Sequence, residues 1–121
     1  MPKILVIDDS AFHRQYVRGF LEEAGYEVED FHPGSALEVL EKAKLFQPDL
    51  VLTDYVMPHV DGLTVVKMIR HYSAATPVVI LSAFRDPRRD EKLKIHQPLW
   101  ILNKPIKGDT LVAALKPILA P

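Results

Sequence analysis

Four short, fully apolar runs recur along this chain, and each gives way at once to polar residues. Ile4 to Ile7 is followed by Asp8-Asp9, Leu50 to Leu52 by Thr53-Asp54, Val78 to Leu81 by Ser82, and Leu99 to Leu102 by Asn103-Lys104. Runs of this length, without alternation, suit strands covered on both faces, as in a parallel sheet. A fifth segment, Tyr26 to Phe31, differs because Tyr26 and Val28 alternate with Glu27 and Glu29. That pattern predicts an edge strand with one wet face.

Helical periodicity fills the gaps. Phe12, Tyr16, Val17, Phe20, Leu21 and Ala24 form one stripe. Ser35 and Glu38 read as a capping box ahead of Leu37, Leu40 and Ala43. Asp61 is the expected N-cap of a helix carrying Leu63, Val66 and Ile69. Leu111, Val112, Leu115, Ile118 and Leu119 make a last stripe, in which Pro117 predicts a kink or early fraying. Between Arg85 and Gln97 the apolar signal is thin: Asp86-Pro87 can cap and start a helix, but only Leu93 and Ile95 follow. A short, solvated, mobile helix is expected there, with Arg85, Arg88, Arg89, Lys92 and Lys94 interleaved with acids on a solvated face.

Strand and helix alternate five times without a linker or repeat, so residues 1–121 are expected to form one domain. The fold class is α/β: a five-stranded parallel sheet in the order 2-1-3-4-5, with five helices on both faces, the flavodoxin-like doubly wound arrangement. The formal charge of -1 leaves no electrostatic footprint for nucleic acid or an anionic membrane. No apolar stretch nears the ~20 residues that span a bilayer, and the start lacks a signal peptide's cleavage site. The absence of cysteine removes disulfides, thiolate metal sites and thiol nucleophiles. A cytoplasmic protein fits these features.

In such a sheet the chemistry sits outside the carboxyl ends of the strands. Those ends carry Asp8-Asp9, Asp54, Ser82 and Lys104, so three carboxylates, a hydroxyl and an ammonium are expected to converge on one edge. Clustered carboxylates repel unless a counter-charge is present. A hard divalent ion answers this, and Mg2+ fits best because it takes one or two carboxylates and leaves room for phosphate oxygens; Mn2+ is an acceptable substitute. Lys104 supplies a compact positive charge and Ser82 a donor for a phosphate oxygen. An Asp54 oxygen can then attack phosphorus in line and form an acyl phosphate.

With these residues at its strand ends, the chain resembles the receiver domain of two-component response regulators over essentially its whole length. The resemblance rests on Asp8-Asp9-Ser10, on Asp54 followed by Met57-Pro58 and Asp61-Gly62, on Ser82-Ala83 and on Lys104-Pro105. It implies Asp54 as phosphoacceptor, Asp8 and Asp9 as the Mg2+-binding pair with Asp9 the more direct ligand, and the Val56 backbone carbonyl as a further metal contact. It also implies Ser82 and Lys104 as phosphate-binding groups and a cis Lys104-Pro105 bond. The expected partners are a sensor histidine kinase or histidine phosphotransfer protein, and a downstream target on the face formed by the fourth helix, fifth strand and fifth helix. A phosphorylation-dependent homodimer is a further expectation. Such a chain assists its own phosphorylation and dephosphorylation but is not a turnover enzyme. Both a stand-alone receiver and one belonging to a longer protein fit.

The sequence departs from the family where an aromatic residue usually stands three positions before the lysine: here it is Ile101, next to Trp100. Gln97-Pro98 likewise replaces the usual Gly-Ala. Val56 and Phe84 match positions flanking the hydrolytic water and cannot orient it, which predicts a slowly hydrolysed phosphoryl group. Of the five histidines, none with ligand spacing, His59 lies on the loop nearest the site. Three rival functions are weighed. A dehalogenase-type phosphohydrolase needs a second acid at Val56, and an FMN carrier would meet repulsion at Asp8-Asp9. A phosphorylation-independent interaction module is the remaining alternative.

Overall fold

The computed structural model describes residues 1–120. Its strands are β1 (Lys3–Ile7), β2 (Glu27–Phe31), β3 (Leu50–Asp54), β4 (Val78–Ser82) and β5 (Leu99–Asn103), alternating with helices α1 (Ala11–Glu23), α2 (Ala36–Phe46), α3 (Gly62–Tyr72), α4 (Pro87–Lys94) and α5 (Gly108–Leu119). The strands form one parallel sheet in the order β2-β1-β3-β4-β5, as the sequence predicts.

Side chains of the central strands point alternately to two cores, which is why their sequences are apolar throughout. Leu5, Ile7, Val51, Val78 and Ile80 pack with Val39 and Ala43 of α2, Val65, Val66 and Ile69 of α3, and Leu93 of α4. Ile4, Val6, Leu50, Leu52, Val79 and Leu81 pack on the other face with Val17 and Leu21 of α1 and Leu111 and Leu115 of α5. Each of the buried Val, Leu and Ile side chains among them contributes about 1.5–3 kcal/mol by leaving water.

Three of the predicted helix starts have the expected side-chain caps. Ser35 accepts from Glu38 N at 3.2 Å, Asp61 from Thr64 N at 2.8 Å, and Asp86 from Arg88 N at 3.1 Å. The capping box is modified, since Glu38 reaches the amide of Gly34 rather than that of Ser35. Two stripes are placed differently from their periodicity. In α1 the buried pair is Val17 and Leu21, while Phe12 is 84% exposed. In α2 the buried residues are Val39 and Ala43, and Leu37 faces solvent. In both helices apolar residues lie around more than one face, so spacing alone does not choose which face the sheet takes. Helix α5 runs through Pro117 and ends two residues later, at Leu119, rather than fraying there. Pro117 forfeits one backbone bond, and only two helical residues follow it.

Candidate functional site

The parallel sheet carries β1, β3, β4 and β5 to a common carboxyl edge, and their terminal polar residues meet there. Asp8, Asp9 and Asp54 each offer a carboxylate oxygen, and these oxygens lie within 4.8 Å of one another. Lys104 Nζ reaches Asp54 Oδ1 at 2.9 Å, and the Tyr55 amide donates to the same oxygen at 3.1 Å. Asp54, Tyr55, Val56, Ser82, Ala83, Phe84, Arg89 and Lys104 line one cleft of about 210 Å³. The residues singled out in the sequence therefore do converge.

The carboxylates are not equivalent. Burial pushes the Asp54 carboxyl above its ordinary value, and the charges of Asp8 and Asp9 push the same way against the hydrogen bond and charge of Lys104. Burial also works to raise Asp8, but bonds from the His13 ring and the Ser10 amide, with the charges of His13 and Lys104, hold it below the usual value. Asp8 is 3% exposed, with Ser10 N on Oδ1 at 2.9 Å and His13 Nδ1 against Oδ2, while Asp9 is exposed. The set suits a hard cation: it consists of oxygen donors, it is open to solvent at Asp9, and it holds more negative charge than Lys104 alone balances.

Ser82 is 3% exposed, and its hydroxyl is turned into its own loop: Oγ donates to Phe84 O at 2.5 Å and accepts from Phe84 N at 3.3 Å. Val56 and Phe84 are 73% and 77% exposed, so the mouth of the cleft is apolar. The Lys104-Pro105 bond is cis, as expected from the resemblance, and Gln97-Pro98 is cis as well.

Four residues of this region were not visible in the sequence as parts of it. His13, rather than His59, is the histidine that touches an acid of the site, because one helical turn after Ser10 returns its ring over Asp8. Tyr55 carries the guanidinium of Arg89 4.4 Å above its ring. Arg89 and Asp90, read as part of a solvated face, are largely buried: the Arg89 side chain is 12% exposed and Asp90 is 7% exposed. Asp90 receives Arg85 at 2.9 Å and Arg89 at 3.2 Å. Burial works against its charge, but these two bonds outweigh it and hold its carboxyl below the ordinary value. The signal for this was the i, i+1 and i, i+5 spacing of the charges around Asp86-Pro87, which periodicity analysis treats as surface.

Sheet order, the acid-lined carboxyl edge and the lysine on Asp54 together define a parallel α/β domain built around an anionic cleft. The sequence profile of the response regulator receiver domain matches residues 4–116. The chain belongs to the response regulator receiver domain family. It is 37% identical over 81 residues to chemotaxis protein CheY of Bacillus subtilis, covering 67% of each chain. It is 40% identical over 92 residues to a protein-glutamate methylesterase/protein-glutamine glutaminase of Archaeoglobus fulgidus, covering 76% of this chain but only 26% of that longer protein. Among solved structures, chemotaxis protein CheY4 of Vibrio cholerae superimposes with a TM-score of 0.87 at 33% identity, covering 98% of both chains.

Proposed function

We propose that Asp54 accepts a phosphoryl group from the phosphohistidine of a sensor histidine kinase or histidine phosphotransfer protein, and that the phosphorylated chain switches its contacts with a downstream partner. The observation that carries this reading is the Lys104 ammonium on Asp54 Oδ1 within a cluster of three carboxylates. Lys104 Nζ and the Tyr55 amide both sit on Oδ1 of Asp54, so its second oxygen is the one left to attack, whereas Asp8 has Ser10 N on one oxygen and His13 on the other. As its bond to phosphorus forms, the bond from phosphorus to the donor imidazole nitrogen breaks, and that nitrogen ends with the electron pair. Mg2+ (or Mn2+), held by Asp8, Asp9, Asp54 and the Val56 carbonyl, would supply the positive charge that the acids and the phosphoryl oxygens both require. Lys104 then neutralises one phosphoryl oxygen, and Ser82 rotates off Phe84 O to donate to another.

The chain on this reading is a phosphoacceptor that assists one transfer onto itself and its later loss, in the cytoplasm, and not a turnover enzyme. No described helix is long and apolar enough to cross a membrane. The partner-facing surface fits the edge strand β5, where Trp100, Leu102, Ala114, Pro117 and Ile118 line an apolar groove of about 240 Å³. A second copy or a downstream target could seat there.

Incubation with acetyl phosphate and Mg2+, followed by intact mass, should yield one adduct of about 80 Da that vanishes in Asp54→Asn. An unmodified wild type, or an adduct retained by the variant, would favour a phosphorylation-independent interaction module instead. The exposed Val56 and Phe84 side chains give a second expectation. Neither can orient a water molecule, so the adduct should decay over minutes or longer in Mg2+ after the donor is removed. Decay within seconds would show that another group positions the water.

A further inference from the structure

The cleft holds a second cation that no step above uses. Arg89 lines it together with Asp54, Ser82 and Lys104, yet it comes from the first turn of α4 and not from a strand end. Its guanidinium is stacked over Tyr55, the residue directly after the acceptor. One terminal nitrogen donates to Phe84 O at 2.7 Å and lies 3.2 Å from Asp90 Oδ1. Its Nε is buried and has no hydrogen-bond partner among the described residues. A guanidinium with a free, desolvated donor beside an acceptor of phosphoryl groups is an incomplete binding site, because Arg can present two parallel donors to one phosphate.

Two features make Arg89 free to turn. Phe84 O, its main anchor, is the same oxygen that Ser82 Oγ now occupies. When Ser82 leaves for a phosphoryl oxygen, the Phe84 loop loses the bond that pins it to β4 and is free to move together with Arg89. Asp90, its other anchor, stays neutralised by Arg85, whose Nε and terminal nitrogen both lie 2.9 Å from Oδ2. Releasing Arg89 therefore leaves no bare buried charge, which would otherwise be costly. Ile101, at the position where the family usually has an aromatic residue, is partly buried against the core.

We propose that Arg89 is the phosphate-sensing residue of this chain: its guanidinium engages the phosphoryl group on Asp54 and draws the first turn of α4 towards the cleft. This rests on Asp54 being the acceptor, and it assigns the coupling between acceptor and α4 to Tyr55, Arg89 and Phe84.

The test uses beryllofluoride as a stand-in for the phosphoryl group, with Arg89→Gln and Arg89→Lys beside the wild type, each checked for folding by circular dichroism. In Arg89→Gln the affinity for beryllofluoride with Mg2+ should fall about tenfold, the loss of one charge-assisted contact, and Arg89→Lys, which keeps the charge but not the paired donors, should recover only part of it. Backbone amide shifts induced by beryllofluoride should reach Asp86 to Lys94 in the wild type. In Arg89→Gln they should stop at Asp54 to Val56. Equal affinity in all three proteins, or undiminished α4 shifts in Arg89→Gln, would overturn the proposal and leave Arg89 as a structural ion pair. A wild type that binds no beryllofluoride would instead overturn the acceptor reading itself and the proposal with it.

Discussion

Replacing Arg70 with leucine should lower the unfolding free energy by about 3 kcal/mol, since four carbonyl bonds are lost and each is worth roughly 0.5–1.5 kcal/mol. The guanidinium of this α3 residue donates to His96 O at 2.9 Å, Thr76 O at 2.7 Å, Ser73 O at 3.2 Å and Pro98 O at 2.9 Å. Two of those carbonyls belong to the loop entering β4 and two to the segment entering β5, so a single side chain ties both connections at the amino edge of the sheet. Burial works against the charge and holds its pKa below the ordinary arginine value, which makes the four acceptors its compensation. Leucine fills part of the volume but leaves the carbonyls to water or to no partner. A loss of this size is a large share of the 5–15 kcal/mol typical of a domain. Urea unfolding monitored by circular dichroism measures it; a change below about 1 kcal/mol would mean the loops satisfy themselves. Arg70→Lys should recover little, because an ammonium cannot span acceptors spread over two loops. Phosphorylation of the folded fraction should be unaffected, since the site lies at the opposite end of the strands.

Arg70 also marks the boundary of what the sequence discloses. β1, β3 and β4 were visible because two-faced burial forces uninterrupted apolar runs, β2 by its alternation, and β5 by a run of the same kind although it lies at the sheet edge with Trp100 40% exposed. The candidates at the strand ends were visible because the polar residue that ends such a run has to stand at the sheet edge. Asp8, Asp9, Asp54, Ser82 and Lys104 were found by that logic alone, and the structure brings them to one edge. Helix-borne charges offer no such constraint. Arg70, Arg89 and His13 sit in patterns that read equally well as solvated surface, and only the packing of α3, α4 and α1 against particular loops decides otherwise. The direction of a hydroxyl is hidden for the same reason: Ser82 was placed correctly, but its bond to Phe84 O depends on a loop conformation that spacing does not encode. Gln97-Pro98 is intermediate. It stood out as a departure from the family, and in the structure Gln97 Oε1 accepts from Leu99 N at 2.8 Å while Pro98 O receives both Val78 N and Arg70. The sequence located the oddity without revealing that it helps to start β5.

Removing one acid of the cluster should make the chain more stable and less reactive at once. Asp9→Ala is the informative variant because Asp9 is exposed, so its loss opens no cavity and breaks no bond within the core. The sign follows from Asp54. Its carboxyl is raised by burial first and by Asp8 and Asp9 after that, so ionising it costs the folded state free energy. A group raised in this way favours the fold fully below its unfolded value, near 3.8, and loses that contribution as pH climbs through the folded value. At neutral pH and without metal, Asp8, held below its ordinary value, favours the fold, and the ionised Asp54 is the burden. Asp9→Ala relieves part of it and should raise the melting temperature by about 2–4 °C in the presence of a chelator, the equivalent of about 0.5–1 kcal/mol at this chain length. Adding Mg2+ should raise the wild-type melting temperature by more than this and the variant's by much less, because binding to the folded state alone stabilises it. The rate of phosphorylation by acetyl phosphate in Mg2+ should fall by about a hundredfold or more, a loss of roughly 2.7 kcal/mol or more in transition-state stabilisation. Thermal melts with and without Mg2+, beside timed intact-mass measurements, read both effects on one sample. A variant that melts lower than the wild type in chelator would mean the cluster is already neutralised by Lys104 and His13. One that is phosphorylated at the wild-type rate would move the ion to Asp8 and Asp54 alone. The two signs together distinguish a site that is strained for function from one that is merely acidic, since only the former trades stability for reactivity.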